Sequence, residues 1–108
     1  MPKSDALQGS LPLLVLKILH RRGPLHGYGI TAQIGAISDL LRIEEGSLYP
    51  ALHRLEEAGW VRAKWTTTEN KRRARVYEIT PVGSRQLQDE ERRWTSVAEA
   101  IGQVLREA

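Results

Sequence analysis

The chain has no cysteine among its 108 residues. Disulfides and thiolate chemistry are therefore excluded, and nothing points to an oxidising compartment. Long apolar runs are missing as well. The run from Leu11 to Leu19 is interrupted by Pro12 and Lys17 and is far too short to span a bilayer. Met1 to Ser10 carries no long apolar stretch behind a basic start, so no secretory leader is expected and a cytoplasmic protein is. The three histidines, His20, His26 and His53, fall on separate segments without ligand spacing, and no thiolate stands beside them, so no metal site is expected. There is no arrangement of Ser, His and Asp, no glycine-rich phosphate loop and no paired carboxylate that stands out. Neither an enzyme nor a bound cofactor is expected. No internal repeat or low-complexity tract appears.

What is present suits one domain with a modest core, at 41% apolar residues. The net charge of +3 says little until it is divided along the chain. Residues 62–75 hold Arg62, Lys64, Lys71, Arg72, Arg73 and Arg75 against Glu69 alone, a local charge of +5 that leaves −2 for the rest. A basic patch confined to one segment is the electrostatic footprint of a phosphate-contacting surface. Its place, just after the helix described next, argues against an ordinary solvated charge run.

That helix lies in the stretch from Glu45 to Trp60. Gly46 and Ser47 supply a start, the Ser hydroxyl being able to cap a first-turn amide, and Gly59 supplies the stop. Leu48, Ala51, Leu52 and Leu55 fall on one apolar stripe. Tyr49, Pro50, His53 and Arg54 fall on the opposite face. One buried face, with hydrogen-bonding groups near the N-terminal half of the other, is the form of a DNA recognition helix.

Two helices precede it. Leu11, Leu14, Val15, Ile18 and Leu19 mark the first, which ends near Gly23-Pro24. The second begins around His26-Gly27-Tyr28 and runs through Ile37 despite three glycines, with Leu40, Leu41 and Ile43 in the connection as core contributors. Two alternating runs follow. Val61, Ala63 and Trp65 share one side of the first, and Tyr77 and Ile79 share one side of the second. Between them, Thr66 to Ala74 is expected as a long, mobile tip. Thr80-Pro81 then caps a last helix of about 25 residues, roughly 37 Å long. Leu87, Trp94 and Ile101 repeat every seven residues in it, and Val97, Ala98, Val104 and Leu105 fill intermediate positions. This narrow seam predicts pairing with a second copy. The order predicts a mainly α protein with a small β-hairpin. Residues 1–80 are expected to form a winged helix-turn-helix, and residues 81–108 a C-terminal dimerisation helix.

At these residues the chain resembles a known family. Gly23-Pro24-Leu25-His26-Gly27-Tyr28-Gly29-Ile30, Gly46-Ser47-Leu48-Tyr49-Pro50-Ala51-Leu52-His53-Arg54-Leu55-Glu56, Gly59-Trp60-Val61, and Asn70 to Thr80 with Gly83 together resemble the PadR family of bacterial transcriptional regulators, in its short form with a single C-terminal helix. The resemblance spans nearly the whole chain. It implies a homodimeric repressor on a roughly palindromic promoter site, with the recognition helix in the major groove. The wing would reach the backbone or the adjacent minor groove. Carried over residue by residue, Ser47, Tyr49, Pro50, His53 and Arg54 belong to the groove-facing helix. Tyr28 matches a family tyrosine near phosphate, and Lys71, Arg72 and Arg73 match the basic wing. Arg54 can bind guanine in bidentate fashion or hold a phosphate.

Some members of the family respond to phenolic acids, and some short ones hold planar drugs against a tryptophan of the last helix. Trp94 is the candidate for that role here, with packing across the dimer as the other reading of the same residue. Outside the regulator class, the competing reading is a winged-helix protein-interaction module without sequence-specific DNA binding.

Overall fold

The computed structural model describes residues 5–108, with side chains from residue 9 onward. The first four residues, part of the segment read above as lacking a leader, lie outside it. The elements run α1 (Asp5–Arg22), β1 (Leu25–His26), α2 (Gly27–Ile37), α3 (Glu45–Glu57), β2 (Val61–Thr67), β3 (Arg73–Ile79) and α4 (Pro81–Glu107). This is the expected mainly α winged helix-turn-helix with a long last helix. None of the described helices is long and apolar enough to cross a membrane.

The core forms where α1, α2 and α3 turn their apolar stripes together. Val15, Leu16 and Leu19 of α1 meet Ile30 and Ile34 of α2, and Leu48, Leu52 and Leu55 of α3, all nearly inaccessible. Each such side chain contributes about 1.5–3 kcal/mol of transfer free energy on burial. Val61 and Tyr77 close the core from the sheet.

The sheet has three antiparallel strands in the order β1-β3-β2. β1 was not foreseen: two residues carry no readable period, and the strand exists because Leu25 and His26 pair with Tyr77 and Val76. β2 and β3 pair from Val61↔Ile79 through Ala63↔Tyr77 and Trp65↔Arg75 to Thr67↔Arg73. Alternation puts Val61, Ala63, Trp65, Arg73, Arg75, Tyr77 and Ile79 on one face. On the other face, Arg62 Nε donates to Glu78 at 2.9 Å.

Several expectations need correction. The tip of the hairpin is shorter than residues 66–74, because Thr66, Thr67, Arg73 and Ala74 are in the ladder. The remaining five residues close on themselves. Thr68 N–H donates to the Arg72 carbonyl at 2.8 Å and Lys71 N–H to the Thr68 carbonyl at 2.9 Å, with Lys71 at φ 60°. Helix α3 starts at Glu45 with Glu44 in the capping position, so Ser47 lies inside the first turn and is not its cap. Leu40 is 89% exposed and adds nothing to the core, whereas Leu41 and Ile43 pack against it. Leu87 was assigned to the dimer seam but is buried in the chain's own core. The first turns of α4 lie against α1, where Lys17 reaches Glu91 at 3.0 Å, so a heptad position that early faces inward.

The joints around α4 are tightly specified. At the end of α3, Gly59 takes φ +81°, with its N–H bonded to the Glu56 carbonyl and that of Trp60 to the Leu55 carbonyl, each at 3.0 Å. This double closure needs a left-handed residue, which glycine supplies at no steric cost. The Thr80 hydroxyl donates to the Gly59 carbonyl at 2.7 Å and accepts from Gly83 N–H at 3.0 Å. One side chain thus ties the stop of α3 to the start of α4. Gly83 lies against the Trp60 carbonyl, where a Cβ would sit 2.0 Å from the oxygen. The rest of α4 projects outward, and the molecule measures 57 × 33 × 21 Å.

Candidate nucleic-acid interface

Burying one stripe of α3 turns the other to solvent. Tyr49, Pro50, His53 and Arg54 are all exposed, and Ser47 is half-buried at the first turn. His53 Nε2 lies 3.2 Å from a Glu57 carboxylate oxygen one turn later. Arg54 has no ion-pair partner among the described residues, which leaves its five donors for an external acceptor.

Tyr49 does more than face outward. Its ring lies across the start of α2, where a Cβ on Gly27 would come within 2.7 Å of the Tyr49 hydroxyl oxygen. That contact gives the first glycine of α2 a physical reason: the aromatic ring from α3 occupies the space a side chain would need. Gly35, by contrast, faces open space. Tyr28, beside Gly27, is 78% exposed.

The wing stands opposite. A cleft of about 760 Å³ separates it from α2 and α3, with His26, Tyr28, Tyr49, Trp65, Arg73 and Arg75 among its walls. The Arg73 guanidinium lies 4.8 Å from the centre of the Trp65 ring, within cation–π range. Lys71 and Arg72 are exposed on the tip. At the floor, burial pushes the Tyr77 phenol above its ordinary range, and the nearby Arg75 cation offsets part of that.

The residues singled out from the sequence therefore form two groups. Tyr28, Tyr49 and Arg73 meet at the cleft. Ser47, Pro50, His53 and Arg54 share the outward side of α3, and Lys71 and Arg72 mark the far end of the wing. Trp65 and Glu56 were missed as parts of this surface, and Arg75 was read only as one charge of the basic segment. Trp65 carries the alternation of a buried position, yet it is 56% exposed because the strand runs past the edge of the core. Glu56 and Arg75 are 19 positions apart, and no local spacing signals their contact.

On α4, Trp94, Val97, Ile101, Val104 and Leu105 are each more than half exposed, and Ala98 is partly covered. A cavity of about 550 Å³ along the same helix is lined by Gln88, Glu91, Arg92, Thr95 and Ser96, not by Trp94.

Comparison with known proteins agrees with this architecture. Residues 15–89 match the model of the transcriptional regulator PadR-like family. The chain is 32% identical over 88 residues to the transcriptional regulator Rv3488 of Mycobacterium tuberculosis, covering 80% of this chain and 79% of that protein. It is 43% identical over 86 residues to a 37.1 kDa protein of a Streptomyces fradiae transposon, covering 80% of this chain but spanning only 23% of that protein. A PadR family transcriptional regulator from Eggerthella lenta superposes with a TM-score of 0.82 at 29% identity, over 96% of this chain and 88% of the other. Bacillus subtilis PadR, solved in complex with operator DNA, superposes with a TM-score of 0.66 at 28% identity, over 73% of this chain and 45% of the other. With residues 15–80 of its winged-helix body and the start of α4 inside the family match, the chain belongs to the PadR-like family of transcriptional regulators.

Proposed function

We propose that the protein is a cytoplasmic, sequence-specific DNA-binding repressor. It acts as a homodimer on an inverted-repeat promoter site, from which a small aromatic effector releases it. The single observation that carries the reading is that Tyr49 of α3 and Arg73 of the wing face each other across one cleft, with the outer α3 side chains and the basic wing tip exposed beyond it. A duplex laid there meets hydrogen-bonding groups in its major groove and cations along its backbone.

In this reading Tyr28, Tyr49, Lys71, Arg72 and Arg73 engage phosphate and fix the register. Ser47, Pro50, His53 and Arg54 face base edges, with Arg54 the donor suited to guanine. The division of labour is residues 1–80 for DNA and residues 81–108 for pairing, the latter through Trp94, Val97, Ala98, Ile101, Val104 and Leu105. Exposed apolar groups repeating along one side of a projecting helix support that pairing. Trp94 offers a flat face for an aromatic effector where two such helices meet.

The test is a titration of promoter and scrambled duplexes across ionic strength. A reader making several phosphate contacts loses orders of magnitude of affinity between about 50 and 200 mM salt, yet keeps its preference for the promoter duplex. Weak binding with no preference at any salt concentration would instead mark a winged-helix protein-interaction module.

A further inference from the structure

The recognition helix and the wing are separate elements, and DNA reading requires a fixed angle between them. The base of the wing is anchored: Tyr77 is buried and pairs with Leu25. The distal part, with Lys71, Arg72 and Arg73, extends past the core. Just beyond the anchor, at the next inward-facing position of β3, Arg75 reaches back to α3. Its Nη2 donates to Glu56 Oε2 at 2.9 Å.

Three features make this contact more than a surface ion pair. Both side chains are largely covered, at 37% exposure for Arg75 and 25% for Glu56. The guanidinium carbon lies 5.7 Å from the ring centres of both Trp65 and Tyr77, so wing aromatics hold the flat group as well. Arg75 Nε is buried without a hydrogen-bond partner, so the Glu56 carboxylate is what compensates this partly desolvated cation.

We infer that Glu56 and Arg75 form a positioning strut that sets the wing against the recognition helix, so that an acidic residue of the reading helix promotes DNA binding. The inference rests on the reading that α3 and the wing contact one duplex. It runs against simple Coulomb reasoning. Removing a carboxylate from this surface, and freeing an arginine, ought to increase attraction for phosphate. A strut predicts the opposite sign, because a wing that samples many angles delivers its cations to the backbone less often.

Glu56→Ala in the 108-residue protein separates the two, since alanine keeps the helix. The absence of cysteine allows nitroxide labels at Glu69→Cys on the wing tip and Ala36→Cys on α2, both exposed positions. Diluting labelled with unlabelled chains restricts the measured distances to one protomer. The strut predicts about fivefold weaker binding to the preferred duplex. It also predicts a shallower salt dependence and a broadened label distance distribution in the free protein. The reversed pair, Glu56→Arg with Arg75→Glu, should narrow the distribution again. Affinity equal to or above the parent would overturn the inference, as would a fall in affinity with an unchanged distance distribution. Because the distances are read without DNA, a parent protein that bound no duplex would sink the DNA reading, while the geometry of the strut would still be measured.

Discussion

At the scale of single residues, the glycines show why the same residue type carries different weight in one chain. Gly83 holds the start of α4 against the Trp60 carbonyl, and no side chain of either neighbour can move aside to admit a Cβ 2.0 Å from a backbone oxygen. Gly83→Ala is therefore expected to destabilise the fold by about 3 kcal/mol or more, as overpacking does. Gly35 points into open space within α2. Gly35→Ala should stabilise by about 0.8–1 kcal/mol through helix propensity alone. Denaturant unfolding of both variants checks the pair, and equal effects would contradict the packing described. Arg54 belongs to this scale too. If it reads guanine, Arg54→Ala should cost about 1–3 kcal/mol on the preferred duplex and much less on scrambled DNA; an equal loss on both would make it a phosphate contact. The exposed face of α3 was legible because a single apolar stripe dictates what must point outward. The Glu56–Arg75 contact was not, because it depends on how two elements meet.

At the scale of elements, the wing carries the charge argument. Arg72→Ala with Arg73→Ala is expected to weaken binding to every sequence and to reduce the slope of log affinity against log salt by about 2. An unchanged slope would remove these side chains from the interface. Periodicity disclosed α1, α2, α3, α4 and both long strands, since each is long enough for its apolar and polar positions to display a repeat. It could not disclose β1, whose two residues become a strand only through pairing with Val76 and Tyr77. The tip was drawn too long for a related reason: Thr66, Thr67 and Arg73 are polar and Ala74 is small, and backbone pairing with each other, not burial, makes them strand. Polar composition alone reads as loop. The start of α3 was misplaced because a serine suited to capping stands two residues inside the first turn.

At the scale of the whole molecule, α4 divides its work along its length. Its first turns complete the core through Leu87, and its outer turns expose Trp94, Val97, Ile101, Val104 and Leu105. A seven-residue repeat cannot tell those environments apart, which is why Leu87 was grouped with the seam. Trp94→Asp with Ile101→Asp should yield monomers in sedimentation, with operator affinity lost because two half-sites are no longer held together. A surviving dimer would place the interface elsewhere. In the proposed mode of action, two winged-helix bodies joined through α4 read a symmetric DNA sequence. Selection of bound duplexes from a randomised library at physiological ionic strength tests it most directly. Enrichment of an inverted repeat is the predicted result; recovery of no preferred sequence, with binding that vanishes as salt rises, would contradict it.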